Sequence, residues 1–146
     1  MSWAGKKSLK ERFKSLFLSK EQALLQDAAA MSRERIRSIL DSWVAQKGYH
    51  LPHRSISEAA ASMGLASSTL YNYFKADGDD FRSWRTRLRM EEAKQLLSRE
   101  PGTPVSYIGR RVGILDRSNF SRTFKEYTGY TPVEWRKGRR GRHLTR

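Results

Sequence analysis

One pattern occurs twice in this chain, and it constrains the fold more than any other feature. Between Ile56 and Arg85, and again between Val105 and Arg136, a Ser (Ser57, Ser106) stands seven residues before a Gly (Gly64, Gly113). The Phe of a Phe-Lys pair (Phe74-Lys75, Phe124-Lys125) follows that Gly by ten residues in the first copy and eleven in the second. Each copy then closes on a Gly (Gly78, Gly129) and a Trp-Arg pair (Trp84-Arg85, Trp135-Arg136). Such self-similarity is the mark of one supersecondary unit used twice, not of a single catalytic constellation.

Within each copy the apolar residues recur at helical intervals on either side of the glycine, which predicts helix, tight turn, helix. In the first copy Ile56, Ala59, Ala60 and Met63 face inward, and Gly64 ends the helix in a left-handed conformation that a side chain would resist. A helix from Ser67 to about Ala76 follows. It buries Leu70, Tyr73 and Phe74 and leaves Ser68, Tyr71, Asn72 and Lys75 on the other side. In the second copy Val105, Ile108 and Val112 point inward while Arg110 and Arg111 remain free. After the turn at Gly113, Asp116 or Ser118 caps a helix with Phe120, Phe124 and Tyr127 spaced for the core and Arg117, Ser118, Ser121, Arg122 and Lys125 opposite. Gly129 terminates it, and Pro132 opens a last helix at the position where its missing N–H costs nothing, with Trp135 closing the core.

Between the copies, Asp79 to Arg99 reads as one long helix with Asp79 and Asp80 at its positive end and Phe81, Trp84, Leu88, Ala93, Leu96 and Leu97 as its apolar stripe. Its 21 or so residues would span roughly 31 Å, and Pro101-Gly102-Thr103-Pro104 stops it. Upstream, SRERIRSILDSWVAQKG predicts a first core helix capped by Ser32 and stopped by Gly48. Residues 1–31 form a basic amphipathic leader, with Lys6, Lys7, Lys10, Arg12 and Lys14 beside a stripe of Leu9, Phe13, Leu16, Phe17, Leu24, Ala28 and Met31. Three uses fit such a leader: a helix docked or solvated beside the domain, a dimerising or signal-relaying helix, and a membrane-surface helix. From Lys137 the chain, KGRRGRHLTR, is basic and almost without apolar content, as a disordered tail is.

The expected architecture is therefore all-α, with about seven helices after the leader. Residues 32–137 form a double helix-turn-helix domain: unit one about 33–78, a linker helix 79–99, unit two 104–137, and a tail over 138–146. A chain of 146 residues accommodates one such domain with a modest core.

Charge narrows the partner. Twenty-nine Lys and Arg against 15 Asp and Glu give +14, more than solubility requires and suited to a polyanion. With no cysteine there are no disulfides and no thiolate-held zinc or iron–sulfur centre. His50 and His53 lack a third ligand nearby, so no metal or other cofactor is expected, and no small-molecule site is evident. No apolar run reaches the length of a membrane span, which points to the cytoplasm; membrane tethering would require a longer parent protein. The acidic residues are helix-end charges or solvated positions (Glu91, Glu92) without a nucleophile–base pair or phosphate loop, so an enzyme is not expected.

In a helix-turn-helix the second helix is small enough to enter a major groove about 12 Å wide, where Arg pairs with guanine, Asn with adenine, and hydroxyls are permissive. The expected base contacts are Ser68, Tyr71 and Asn72 in unit one and Arg117, Ser118, Ser121 and Arg122 in unit two. Lys75, Arg110, Arg111, Lys125 and Arg136 are the expected phosphate contacts. A linker of ~31 Å approaches the roughly 34 Å rise of one DNA turn, so one chain could place two helices in successive major grooves of double-stranded DNA. A non-specific nucleoid-type architectural binder, held by charge alone, is the competing expectation.

The string GILDRSNFSRTFKEYTGYTPVEWR closely resembles the C-terminal signature of the AraC/XylS family of bacterial transcription regulators, and RMEEAKQLL at Arg89 to Leu97 resembles that family's linker-helix motif. The resemblance covers about residues 33–137. It implies a seven-helix, two-unit DNA-binding domain that acts in the nucleoid, contact with RNA polymerase, activation more than repression, and a separate sensing domain. Carried over by position, it implies the same base-contacting residues as the helical spacing. Three positions depart from the family pattern: Ala66 stands where a capping Ser is usual, with Ser67 as a substitute, Gly109 replaces Ala, and Ile114 replaces an aromatic. A weaker cap and looser packing follow as expectations. About 30 residues precede the domain, too few for a sensor, which fits either a stand-alone regulator or part of a larger protein whose sensor or dimer contact joins through residues 1–31.

Overall fold

The structure, a computed structural model, describes residues 8–52 and 55–144; of residues 25–31 and 139–144 the backbone alone is described. Lys6 and Lys7 of the leader and His53 of the expected loop lie outside it, and for Ala28 and Met31 only the backbone is given. Seven α-helices and one 3-10 turn make up the described residues, with no strand among them. The chain divides into two compact parts, one ending at Ser38 and one, which holds both helix-turn-helix repeats, beginning at Ile39.

Helix α1 runs from Leu9 to Ala45 without interruption. A reciprocal cap starts it: the Glu11 N–H donates to Ser8 Oγ (3.3 Å) and the Ser8 N–H to Glu11 Oε2 (3.2 Å). Ser32, expected as a cap, lies inside this helix, because no Gly or Pro between Ser8 and Ala45 interrupts the run. Leu9, Phe13, Leu16, Phe17 and Leu24 are exposed. The stop also differs from expectation. Lys47 rather than Gly48 takes the left-handed conformation (φ 60°), and Gly48 opens the 3-10 turn Gly48–His50. Gly48 is required there for space: a Cβ would lie 2.3 Å from Trp43 Nε1.

Unit one comprises α2 (Ile56–Ser62), capped by Ser55, and α3 (Ser67–Ala76). With the end of α1 and the start of α4 (Phe81–Arg99) they enclose Leu40, Ala59, Ala60, Leu70 and an aromatic cluster of Trp43, Tyr49, Phe74, Phe81 and Trp84. Trp43 and Trp84 stack at 5.9 Å. Unit two comprises α5 (Val105–Arg111), α6 (Arg117–Thr128) and α7 (Pro132–Leu144). Its core joins Val105, Ile108, Val112, Ile114, Phe120 and Phe124 to Met90, Ala93, Leu96 and Leu97 of α4, with Trp135 packed against it. The first half of α4 thus belongs to one core and the second half to the other.

Asp80, not Asp79, caps α4, accepting from the Ser83 N–H at 2.9 Å, while Asp79 pairs with Arg87. The helix is therefore 19 residues, about 28 Å, rather than 21. Tyr127 is not in the core: its side chain is exposed and its hydroxyl donates to Glu91 Oε1 at 2.9 Å. The expected disordered tail is helical as far as Leu144, since Thr131 and Glu134 form a reciprocal cap for α7 and the Lys and Arg that follow are good helix formers.

Candidate nucleic-acid interface

The two second helices of the repeat, α3 and α6, differ in how they start. Asp116 accepts from the Asn119 N–H at 2.6 Å and caps α6, with Ser118 already inside the helix. At α3 the capping position is Ala66, which offers no side-chain acceptor, and Ser67, being the first helical residue, does not take over the job. Both helices bury two residues four apart, Leu70 and Phe74 in one and Phe120 and Phe124 in the other. That periodicity turns the polar sets outward.

On α3, Ser68, Tyr71, Asn72 and Lys75 are all exposed, and the Lys75 ammonium lies 5.6 Å from the centre of the Tyr71 ring. On α6, Arg117, Ser118, Arg122 and Lys125 are exposed and Ser121 is half-buried. The turns between paired helices are held by glycines at positive φ, 71° at Gly64 and 99° at Gly113.

The expected phosphate contacts divide. Lys75, Arg110 and Lys125 are exposed. Arg111, expected to be free, holds the Glu100 carboxylate through Nη1 at 2.7 and 2.8 Å, and that pairing keeps the Glu100 carboxyl below its usual range. Arg136 is turned inward. Its Nε donates to the Leu97 carbonyl (3.4 Å) and its Nη2 to the carbonyls of Glu100 (3.3 Å) and Thr103 (2.6 Å), tying the end of α4 to the next loop. The departures from expectation share a physical reason: carbonyls and a carboxylate freed at a helix end recruit the nearest guanidinium.

Glu92, expected to be solvated, accepts from Lys47 Nζ at 3.1 Å and pairs with His50. Burial pushes its carboxyl up, and hydrogen bonds from His50, Tyr49 and Lys47 outweigh this and hold it below the ordinary range. His50 is thereby engaged with an acid, and no cluster of three or more His, Cys, Asp or Glu suited to a metal occurs among the described residues.

The basic stripe of α4 escaped the sequence reading. Arg82, Arg85, Thr86 and Arg89 line a cleft whose other wall is Asn119 and Thr123 of α6, with Gly113, Ile114 and Leu115 of the turn. Arg85 is 8% exposed and Arg89 7%. Arg89 Nε donates to the Tyr49 carbonyl (2.7 Å) and Nη2 to the Leu51 carbonyl (2.8 Å). Burial, and then the charge of Arg85, push the Arg89 pKa down to about 10, so it stays cationic at neutral pH. The available signal was spacing: residues 82, 85 and 89 fall at i, i+3 and i+7, one face of a helix.

Among the described residues no helix is long and apolar enough to cross a membrane. Residues 59–138 match the family model of a helix-turn-helix domain. The arabinose operon regulatory protein of Salmonella typhimurium is 34% identical over 125 residues, covering 81% of this chain and 44% of the relative, so the chain spans less than half of that protein's length. Among solved structures, the C-terminal domain of the two-component response regulator yesN from Fusobacterium nucleatum is 27% identical with a TM-score of 0.60, covering 70% of this chain and 98% of that one. The DNA-binding domain of AdpA, solved in complex with a target DNA, has a TM-score of 0.61 at 16% identity over 75% of this chain and 96% of that one, a likeness of fold alone. Two helix-turn-helix units on a shared helix, and a family match over more than half of the chain, lead to one conclusion: the chain belongs to the AraC-type family of helix-turn-helix transcription regulators, as a DNA-binding part and not an enzyme.

Proposed function

We propose that the chain is a sequence-specific regulator that lays α3 and α6 into successive major grooves on one face of double-stranded DNA. The observation that carries the reading is the matched exposure of two polar helix faces on a single shared helix, Ser68, Tyr71 and Asn72 on one side and Arg117, Ser118 and Arg122 on the other. Ser121, half-buried, contributes its hydroxyl at the edge of the second set. Arg117 and Arg122 can each form two parallel hydrogen bonds to guanine, and Asn72 can do so with adenine. Lys75, Arg110 and Lys125 bind phosphates and set the register. Arg111 and Arg136 act on the protein itself, through Glu100 and the carbonyls at the end of α4.

The α4 length of about 28 Å is close to the rise of one DNA turn, roughly 34 Å, so one chain suffices for two adjacent half-sites. Activation is the sign we propose, as in the transcriptional activator NphR of Rhodococcus; contact with RNA polymerase, and coupling to a sensor or a second copy through the leader, are proposed from the AraC/XylS resemblance alone. The competing reading, a charge-driven architectural binder, draws on the same +14 charge and leaves the two matched helix faces without a use.

Selection of bound sequences from a random DNA pool at two salt concentrations tests the proposal. A motif with two half-sites about one turn apart is expected, and recovery of no motif at either salt would overturn it. Arg117→Ala and Arg122→Ala should each cost about 1–3 kcal/mol on the selected site and relax preference at separate base pairs.

A further inference from the structure

Two hollows in the surface share Arg82 and Arg85. The first is bounded by Tyr71 on the reading face of α3, the second by Asn119 and Thr123 on α6. The arginine pair on the first turns of α4 therefore lies between the two reading helices. We propose that the second hollow is a binding cleft for a DNA backbone phosphate, gripped by Arg82 and Arg85 with Asn119 and Thr123 opposite; it rests on α3 and α6 entering adjacent major grooves.

Four observations converge on this cleft. The first concerns what passes there: two major grooves on one face of a duplex are separated by a minor groove bordered by phosphate backbones, so a surface between the reading helices meets phosphate before base edges. Charge is the second. Arg82, Arg85 and Arg89 line the cleft and, among the described residues, no Asp or Glu does, whereas the acids of the neighbouring hollow are occupied, Asp79 with Arg87 and Asp80 as the cap of α4.

The third is the state of the cations. Arg82 is exposed and pairs with no carboxylate among the described residues, and its charge, after burial, depresses the pKa of Arg85 beside it. An anion between them would relieve that repulsion. The last is shape: guanidinium groups match phosphate oxygens with two parallel hydrogen bonds, and on the far wall the Asn119 amide NH2 adds a neutral donor while its Oδ1 accepts from the Thr123 hydroxyl at 3.4 Å. Such a contact carries no sequence information. It fixes how the two-helix unit sits along the duplex.

The test measures affinity against salt on the selected DNA site and on unrelated DNA, for the unaltered chain, Arg82→Gln and Arg87→Gln. Arg82 is exposed, so its replacement leaves the cores intact, and Arg87, already paired with Asp79, is the control. Arg82→Gln should weaken binding by the same factor on both DNAs and make the slope of log affinity against log salt shallower by about 0.9. Arg87→Gln should leave the slope unchanged. In parallel, methylphosphonates replace single phosphates between the half-sites. Neutralising the gripped phosphate should weaken the unaltered chain, and weaken Arg82→Gln by a smaller factor, because Arg85 still reaches it. An unchanged slope with Arg82→Gln, or additive losses from variant and methylphosphonate, would overturn the cleft while leaving the two-groove reading in place. A pool that returns no motif removes the two-groove reading and this proposal with it.

Discussion

Gly109 is a position where a single atom matters. It sits on the buried side of α5, and a Cβ there would lie 2.8 Å from Phe120 Cγ and 3.0 Å from Cδ1. The expectation of looser packing is therefore reversed, because the missing methyl lets the α5 backbone approach the ring. Gly109→Ala gains helix propensity, about 1 kcal/mol, and overpacks a core in which Phe120 is fully buried, a cost of about 1–3 kcal/mol. Overpacking prevails because the contact is to the root of a fully buried ring, Cβ and Cγ, and not to the far end of a flexible side chain. The midpoint of thermal unfolding should fall; a rise would mean that Phe120 shifts without strain. Arg136 poses the complementary case, since its three carbonyl partners make it a stability residue. Arg136→Gln should cost about 1–3 kcal/mol in a urea melt, with the salt slope of DNA binding unaltered. A shallower slope would return Arg136 to the phosphate contacts. The same residue shows why part of the site was illegible in the sequence: a Trp-Arg pair ends each repeat, but which carbonyls each guanidinium reaches depends on tertiary packing.

Helix α3, like α5 behind Pro104, starts without a side-chain cap. Ser55, Asp80 and Asp116 cap α2, α4 and α6 through their side chains, and α1 and α7 carry reciprocal caps, whereas Ala66 leaves the first N–H groups of α3 to solvent. Ala66 already has extended dihedrals (φ −72°, ψ 145°), those of a capping residue. Ala66→Ser should therefore stabilise the domain by about 0.5–2 kcal/mol, seen in a urea melt and as slower amide exchange at Ser68 and Thr69. No change in either would show that water caps this helix equally well. Helix existence was legible throughout, from apolar spacing and from glycines such as Gly129, whose φ of 83° ends α6. Boundaries were less so. A capping residue starts a helix only where the preceding chain does not continue it, which is why Ser32, inside an unbroken helix, failed. The arginine stripe of α4 stayed hidden because its members alternate with the apolar stripe, and burial of cations depends on carbonyl partners that come from elsewhere in the chain.

At the scale of the two-unit domain, α4 sets the separation of α3 and α6, and a second junction sets their rotation. The turn of unit two meets unit one at Gly113, where a Cβ would lie 2.7 Å from the His50 carbonyl oxygen and 2.9 Å from Arg89 Nη2. Arg89 holds the backbone of that same segment at Tyr49 and Leu51. These contacts join the units beside the helix they share, and a helix alone resists stretching better than twisting of what is packed on its two ends. One added base pair moves a half-site by about 3.4 Å and rotates it by roughly 35°. For the unaltered chain, an insertion between half-sites should cost about tenfold or more in affinity, ~1.4 kcal/mol. Arg89→Met removes both hydrogen bonds and relieves the burial of an uncompensated cation, so its effect on unfolding is a partial cancellation, a net loss of about 1–3 kcal/mol. Its effect on spacing has no such cancellation. The penalty for one inserted base pair should shrink several-fold in Arg89→Met, with base preferences within each half-site unchanged. Gly113→Ala, which forces the same junction apart from the other side, should shrink it too. If both variants keep the full insertion penalty, the long helix by itself fixes the rotation, and the junction serves stability alone.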